Sequence, residues 1–137
     1  MVSKEGADLL DRIVLVVEDE VLIRLVIADL IREAGFTVWE AANGDDARRL
    51  LQTTDRVSLV VTDFNMPGET DGLALARHVR ANYPQIKLIF VSAEAVPGAS
   101  EIVDAMFDKP LDPERLIQQV AALMQRNGSV PPSVECA

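Results

Sequence analysis

Short apolar runs alternate with segments of helical periodicity along this chain, and that alternation constrains the fold more than any other feature. The run "IVLVV", from Ile13 to Val17, is rich in β-branched residues, which is typical of a strand buried on both faces. The segment "VLIRLVIADLIREAGF" follows and repeats apolar residues at helical spacing, at Leu22, Val26, Leu30 and Ala34. Repeated along the chain, this alternation predicts a parallel sheet with helices on both faces.

The remaining elements follow the same pattern, except in the stretch between the fourth and fifth strands. Strands are predicted in "FTVWEA", "VSLVVTD", "KLIFVS" and "MFD", and helices in "NGDDARRLLQ", "DGLALARHVRANY" and "DPERLIQQVAALMQRN". Asp112 is the predicted N-cap of the final helix, with Pro113 at its first position. Because Pro97 and Gly98 interrupt the stretch before the fifth strand, any helix there should be short, spanning roughly Ala99 to Asp104.

The length of 137 residues suits one domain with a full core. We predict a folded domain over residues 12–126, an N-terminal extension over residues 1–11 and a flexible tail over residues 127–137. A tail this short predicts that no effector domain follows. Output should then occur through contact with another protein.

Charge and residue usage exclude several classes of function. The net charge of −9 argues against binding to nucleic acid or to anionic membranes. Cys136 is the only cysteine, which excludes an intrachain disulfide and a cysteine metal site. His78, the only histidine, lies in a helical pattern and is interpreted as a surface residue. No apolar run has the length of a signal peptide or a transmembrane helix, so we expect a cytoplasmic protein.

Polar side chains follow four of the predicted strands, at the edge where ligands bind in parallel sheets. Glu18 and Asp19 follow the first strand, Asp63 the third, Ser92 the fourth and Lys109 the fifth. Taken singly, each has an ordinary structural interpretation, such as a helix cap, a turn residue or a solvated lysine. Because the fold brings them to one edge, together they predict a carboxylate cluster beside one hydroxyl and one ammonium group.

Such a cluster has a defined chemistry. Neighbouring carboxylates repel one another unless one is protonated or a cation enters. Oxygen ligands suit Mg²⁺, which keeps several waters and accepts a phosphate oxygen. A carboxylate beside Mg²⁺ can attack phosphorus and form an acyl phosphate, while lysine and serine contact the phosphoryl oxygens. The cluster therefore indicates Mg²⁺-dependent phosphoryl chemistry.

Five motifs, in this order, resemble the receiver domain of two-component response regulators: "LVVEDE", "VVTDFNMPG", "DGLALA", "FVSA" and "DKPLDPE". The resemblance implies a flavodoxin-like, doubly wound (βα)5 fold of the α/β class with a shortened fourth helix. It implies a single-domain phosphoacceptor that removes its own phosphoryl group and turns over no external substrate. The implied partners are a histidine kinase or histidine phosphotransfer protein and an unknown downstream protein.

The same resemblance implies a role for each residue at the sheet edge. Asp63 is the implied phosphoacceptor, Ser92 the switch hydroxyl and Lys109 the lysine that contacts the phosphoryl group. The bond between Lys109 and Pro110 resembles one that is often cis in this family. The implied Mg²⁺ ligands are Asp19 and Asp63 directly, Glu18 through water, and Asn65 through its backbone carbonyl.

Three features depart from the family pattern. The loop "MPGETDG" is one residue longer than usual, and the stretch from Ser92 to Lys109 is several residues shorter. Met106 stands where an aromatic residue is usual, so the rigid ring of the common switch is absent. Phe107 is adjacent, but strand alternation directs it to the opposite face.

The first helix carries two apolar stripes, one predicted to face the sheet and one adjoining it. Either a wide buried face holds both stripes, or part of the adjoining stripe docks a histidine kinase or phosphotransfer helix. The stripe predicted to face the sheet is Leu22, Val26 and Leu30, and the adjoining stripe is Ile23, Ile27 and Ile31.

Three other functions are alternatives to the phosphoacceptor. A pseudo-receiver that binds partners without phosphate fits the altered Met106 and fourth helix, but not the complete polar set. A Mg²⁺-dependent phosphatase commonly has a general acid two residues after its nucleophile, where this chain has Asn65. A flavin protein of the same topology lacks a phosphate-binding loop after the first strand.

Overall fold

The computed structural model describes residues 12–64, 71–92 and 101–125 of the chain. The predictions for the two termini, residues 1–11 and 127–137, lie outside them. Within the described residues all five predicted strands and the four regular helices are present. The strands are β1 (Ile13–Val17), β2 (Thr37–Ala41), β3 (Val57–Asp63), β4 (Lys87–Ser92) and β5 (Ala105–Asp108), and the helices are α1 (Val21–Glu33), α2 (Gly44–Thr53), α3 (Gly72–Asn82) and α4 (Pro113–Gln125).

The strands form one parallel sheet in the order β2-β1-β3-β4-β5. The order changes direction at β1, which pairs with β2 on one side and β3 on the other. Ligands bind to such sheets outside the carboxyl ends of the strands, next to this switch point. The doubly wound α/β prediction is therefore confirmed, and the topology places the ends of β1 and β3 side by side.

Side-chain caps fix where three of the helices begin. Asn43 and Asp71 each accept a hydrogen bond at 2.8 Å from the backbone N–H three residues on, before α2 and α3 respectively. Asp112 accepts one at 3.1 Å from the N–H of Glu114, which confirms it as the N-cap of α4. Gly35 adopts a φ of 103° after α1, a conformation that glycine reaches without strain.

Two apolar layers cover the two faces of the sheet. One layer lies under α2 and α3 and contains Phe90 and Leu75. The other lies under α1 and α4 and contains Leu59 and Leu116. Because β1, β3 and β4 are buried on both faces, their sequences are continuous apolar runs rather than alternating ones.

The orientation of α1 is the reverse of the predicted one. Ile27 is 3% exposed and Ile31 is fully buried, whereas Leu22 is 77% exposed and Val26 is 59% exposed. Both stripes are apolar, so helical periodicity could not decide which of them faces the sheet. Ala28 also lies on the buried face, and its small side chain lets this side of the helix approach the sheet closely.

The connection into β5 is held by an arginine. The short helix predicted there lies partly outside the described residues, and its described part, residues 101–104, forms no α-helix. Arg80, near the end of α3, donates from Nη2 to the carbonyl of Ile102 at 2.6 Å and to Oδ2 of Asp104 at 3.1 Å. These bonds tie the start of β5 to α3.

His78 is half-buried on α3 rather than fully at the surface. Burial first, and the nearby charge of Arg48 second, lower the pKa of its imidazole. Its ring makes an edge contact with Tyr83.

In the described part of the chain no helix combines the length and apolar character needed to cross a bilayer.

Candidate functional site

The turn between β1 and α1 supplies two of the predicted acids. The backbone N–H of Glu18 donates to Ala41 at 3.1 Å, so the main chain stays next to β2 for one residue beyond the strand. Glu18 is only 1% exposed, and its Oε2 accepts from the N–H of Glu20 at 3.1 Å. Asp19 is exposed. The turn therefore directs one carboxylate into the protein and the next toward solvent.

Asp63 ends the central strand β3 and is buried. The hydroxyl of Thr62 donates to the Asp63 carbonyl at 3.0 Å, and the N–H of Phe64 donates to Val91 at 3.1 Å. The peptide group that follows Asp63 is thus held on one side by Thr62 and on the other by β4. A rigid backbone fixes the direction in which the Asp63 side chain can act.

Lys109 and Ser92 come from the neighbouring strands. Lys109 follows β5, and its Nζ lies 3.3 Å from Oδ2 of Asp63 and 3.8 Å from Oε1 of Glu18. Ser92 is buried at the end of β4, and its carbonyl accepts from the N–H of Lys109 at 3.0 Å. The peptide bond between Lys109 and Pro110 is cis, as the resemblance implied.

The charges of the site perturb two of its groups. Burial is the main cause that raises the pKa of Glu18 to about 7, and the charge of Asp63 adds to it. The bond from Glu20 and the charge of Lys109 oppose this rise only in part. Burial would lower the pKa of Lys109, but the charges of Asp63 and Glu18 outweigh it and raise that pKa. One ammonium group therefore serves two carboxylates.

The predicted metal ligands converge. One carboxylate oxygen from each of Glu18, Asp19 and Asp63 lies within 4.8 Å of the others. A hard cation with flexible oxygen coordination fits such a set, and Mg²⁺ has these preferences. The fourth predicted ligand, Asn65, lies outside the described residues, as do residues 66–70 of the long loop that follows it.

Two residues near the site were not singled out from the sequence. Gly72 opens α3 so close to β3 that a Cβ atom there would lie 2.7 Å from the Cα of Phe64 and would overlap the carbonyl of Asp63. Arg24 donates from Nη1 to the carbonyl of Glu18 at 2.8 Å. The only sequence signal for Arg24 was a charge that interrupts the apolar periodicity of the first helix.

Comparison with known proteins agrees with this geometry. The sensor kinase CckA of Brucella abortus is 36% identical over 119 residues, which cover 82% of this chain and 12% of CckA. The aerobic respiration control protein ArcA of Escherichia coli K12 is 30% identical over 118 residues, which cover 82% of this chain and 48% of ArcA. The chain thus spans about half or less of the curated relatives it matches.

Solved structures match more fully. The response regulator protein TrrA of Thermotoga maritima, in complex with Mg²⁺ and BeF, has a TM-score of 0.75 and 28% identity. That match covers 82% of this chain and 98% of TrrA. The family described as the response regulator receiver domain matches residues 14–121. The chain therefore belongs to the response regulator receiver domains, the phosphoacceptor modules of two-component signal transduction.

Proposed function

We propose that Asp63 accepts a phosphoryl group from a phosphohistidine. The observation that carries this assignment is the position of Asp63 between the other two acids and Lys109. Its carboxylate shares a cation-sized space with Glu18 and Asp19, and its Oδ2 lies 3.3 Å from the lysine Nζ. An aspartate that ends a buried central strand has little freedom to turn away from this position.

The transfer exchanges one bond for another. An oxygen of Asp63 attacks phosphorus, the bond from phosphorus to the histidine nitrogen breaks, and its electron pair returns to the imidazole. Lys109 then holds its positive charge against the phosphoryl oxygens, and the hydroxyl of Ser92 donates to one of them. Attack of water on phosphorus later breaks its bond to the Asp63 oxygen, releases inorganic phosphate and restores the carboxylate, with no substrate turned over besides the phosphodonor and water.

A Mg²⁺ ion would be held by Asp19 and Asp63, with Glu18 acting through water and the carbonyl of Asn65 as a further ligand. When bound, it would neutralise charge on the phosphoryl oxygens during transfer. The clustered oxygens of Glu18, Asp19 and Asp63 support this assignment. Burial, and then the charge of Asp63, raise the pKa of Glu18, and a bound cation would oppose that rise.

We also propose that the phosphodonor, a histidine kinase or histidine phosphotransfer protein, docks on the exposed side of α1. Val21, Leu22, Leu25 and Val26 are exposed there. An open cavity of about 590 Å³ adjoins this surface, and Lys109 is one of its lining residues. An apolar helix of the donor that docked on this surface would lie next to Lys109, and so close to Asp63. The cavity lies between α1 and the turn after β5, lined in part by Leu22, Ile23, Val26, Ile27, Pro110 and Leu111.

Phosphorylation by a small phosphodonor tests the assignment of Asp63. The protein is incubated with acetyl phosphate and Mg²⁺, and the labelled residue is located by mass spectrometry after trapping of the acyl phosphate. The wild-type protein should be labelled only when the divalent cation is present. Asp63→Asn should abolish labelling, because an amide oxygen is a poor nucleophile.

The matched control is Asp108→Asn, at an exposed aspartate that pairs with Ser92 at the end of β5. This variant should be labelled like the wild type. Full labelling of Asp63→Asn, or equal loss in both variants, would overturn the assignment of Asp63. The pseudo-receiver is the disfavoured alternative, and it would show no labelling of the wild-type protein at all.

A further inference from the structure

The acidic turn is the turn after β1 that contains Glu18, Asp19 and Glu20, and Arg24 joins it to the edge strand β2. Its Nη1 donates to the carbonyl of Glu18 at 2.8 Å, and its Nε donates to Oε1 of Glu40 at 3.2 Å. The side chain is 16% exposed, so this charge lies largely inside the protein. Arg24 lies on α1 and Glu40 lies on β2, so these two bonds connect the backbone of the turn at Glu18 to both elements.

The turn needs such a support for two physical reasons. Glu20, the N-cap of α1, makes no side-chain cap hydrogen bond, and the first turn of the helix contains no acid. Glu18, Asp19 and Glu20 are three successive acids, and repulsion between their charges favours conformations that spread them apart. A cation that grips the carbonyl of Glu18 opposes that spreading without occupying the carboxylates.

We propose that Arg24 is a positioning residue for the metal site, one that holds Glu18 and Asp19 in the geometry in which they share a cation with Asp63. Glu40 holds the guanidinium in place and balances its charge. Groups that orient metal ligands from outside typically change metal affinity by about ten- to hundredfold when they are removed. This inference rests on the proposed Mg²⁺ site, and it adds to that site a residue that makes no contact with the ion.

The chain supplies its own matched control. Arg32 lies two turns further along α1 and also pairs with Glu40, at 3.0 Å from Oε2. Its backbone partner is the carbonyl of Val38 at 3.1 Å, within β2, and among the described residues it makes no bond to the acidic turn. Arg24 and Arg32 therefore lie on the same helix and share Glu40 as an ion-pair partner. They differ in that only Arg24 donates a hydrogen bond to the carbonyl of Glu18 among the described residues.

Calorimetric titration with Mg²⁺ alone separates the two arginines. Arg24→Met should weaken Mg²⁺ binding about ten- to hundredfold, whereas Arg32→Met should bind within about twofold of the wild type. Arg24→Lys should lie between them, since an ammonium group is a single point charge and cannot fork between the two acceptors. Acetyl phosphate labelling of Arg24→Met should return to the wild-type amplitude at saturating Mg²⁺, because the loss is in affinity.

Each outcome decides the proposal. Equal Mg²⁺ affinity in wild type and Arg24→Met, or equal losses in Arg24→Met and Arg32→Met, would overturn the role of Arg24 while the metal site itself stands. If Arg24→Met fails to fold by circular dichroism, Arg24→Lys replaces it and must still bind more weakly than Arg32→Met. No Mg²⁺ binding by the wild type would remove the proposed metal site and the role of Arg24 together.

Discussion

Glu18 differs from the other acids of the site in how far it is removed from water. It is 1% exposed, and burial raises its pKa to about 7. A raised carboxyl pKa means that the folded protein holds a proton that the unfolded chain releases at lower pH. In the metal-free protein, the stability from this group is present below its unfolded value of 4.5 and is lost as the pH rises through about 7.

Mg²⁺ should compete with that proton. Because the metal needs the charged carboxylate, its apparent affinity should rise about tenfold between about pH 6 and about pH 8. Titration calorimetry at the two pH values measures this change, and in two buffers it also measures the proton released. Glu18→Gln should bind Mg²⁺ more weakly and lose most of the pH dependence. If the Mg²⁺ affinity of that variant still rose with pH as steeply as in the wild type, a group other than Glu18 would be responsible.

At the scale of elements, the packing of α3 against the end of β3 controls the backbone of the phosphoacceptor. The N–H of Gly72 donates to the carbonyl of Phe64 at 3.1 Å, and Asp71 caps the helix directly before it. A Cβ atom at position 72 would lie 2.8 Å from the Phe64 carbonyl oxygen, which is backbone and cannot rotate away. The helix can lie this close to Asp63 only because residue 72 has no side chain.

Gly72→Ala should therefore lower both stability and labelling. Moving the helix away from β3 should reduce the free energy of unfolding by about 1–3 kcal/mol, as in other overpacked sites. Acetyl phosphate labelling should slow by about tenfold or more, because small displacements of a nucleophile have large effects on rate. Urea unfolding and labelling kinetics measure the two effects.

Gly35→Ala is the control for this variant. Its Cβ would meet nothing within 4 Å, but its φ of 103° is unfavourable for alanine. It should lose about 1 kcal/mol of stability and keep the wild-type labelling rate. If Gly72→Ala labels as fast as Gly35→Ala, the close approach of α3 has no influence on the nucleophile.

At the scale of the whole molecule, most of the exposed large apolar side chains of the described residues lie on one surface. Val21, Leu22, Leu25 and Val26 share the start of α1, and Met106 on β5 is the one outside this group. Phe107 packs against the apolar layer under α1 and α4 while Met106 is exposed, so the two side chains point to opposite faces, as predicted. An apolar surface beside the site is suited to protein contact.

Substitutions on this surface should separate the two sources of phosphoryl group. Leu22→Ser and Val26→Ser should slow transfer from a phosphorylated histidine phosphotransfer domain by about tenfold or more, since buried apolar anchors dominate such interfaces. Labelling by acetyl phosphate should not change, because a small molecule needs no docking surface. Met106→Ser is the control and should leave both rates unchanged. Equal transfer to all three variants would place the donor on another surface.

Much of the fold could be predicted from the sequence because each local signal had one physical interpretation. Continuous β-branched runs indicated strands buried on both faces, and Asp112 was recognised as a cap from its place before Pro113. The strand-end position of Asp63 and Lys109 follows from topology alone, since parallel strands end at one edge. In the structure the Nζ of Lys109 lies 3.3 Å from Oδ2 of Asp63, as this topology predicts.

The orientation of α1 and the surroundings of the acidic turn were decided only by the tertiary structure. Two apolar stripes satisfied the helical period equally well, and packing against the sheet selected the one with Ile27 and Ile31. Arg24 looked like an interruption in an apolar helix, but it reaches the carbonyl of Glu18 across the turn. The sequence alone determined which elements form and which polar residues follow them, because those properties are local. Which face is buried, and which backbone group a long side chain reaches, depends on contacts between distant segments.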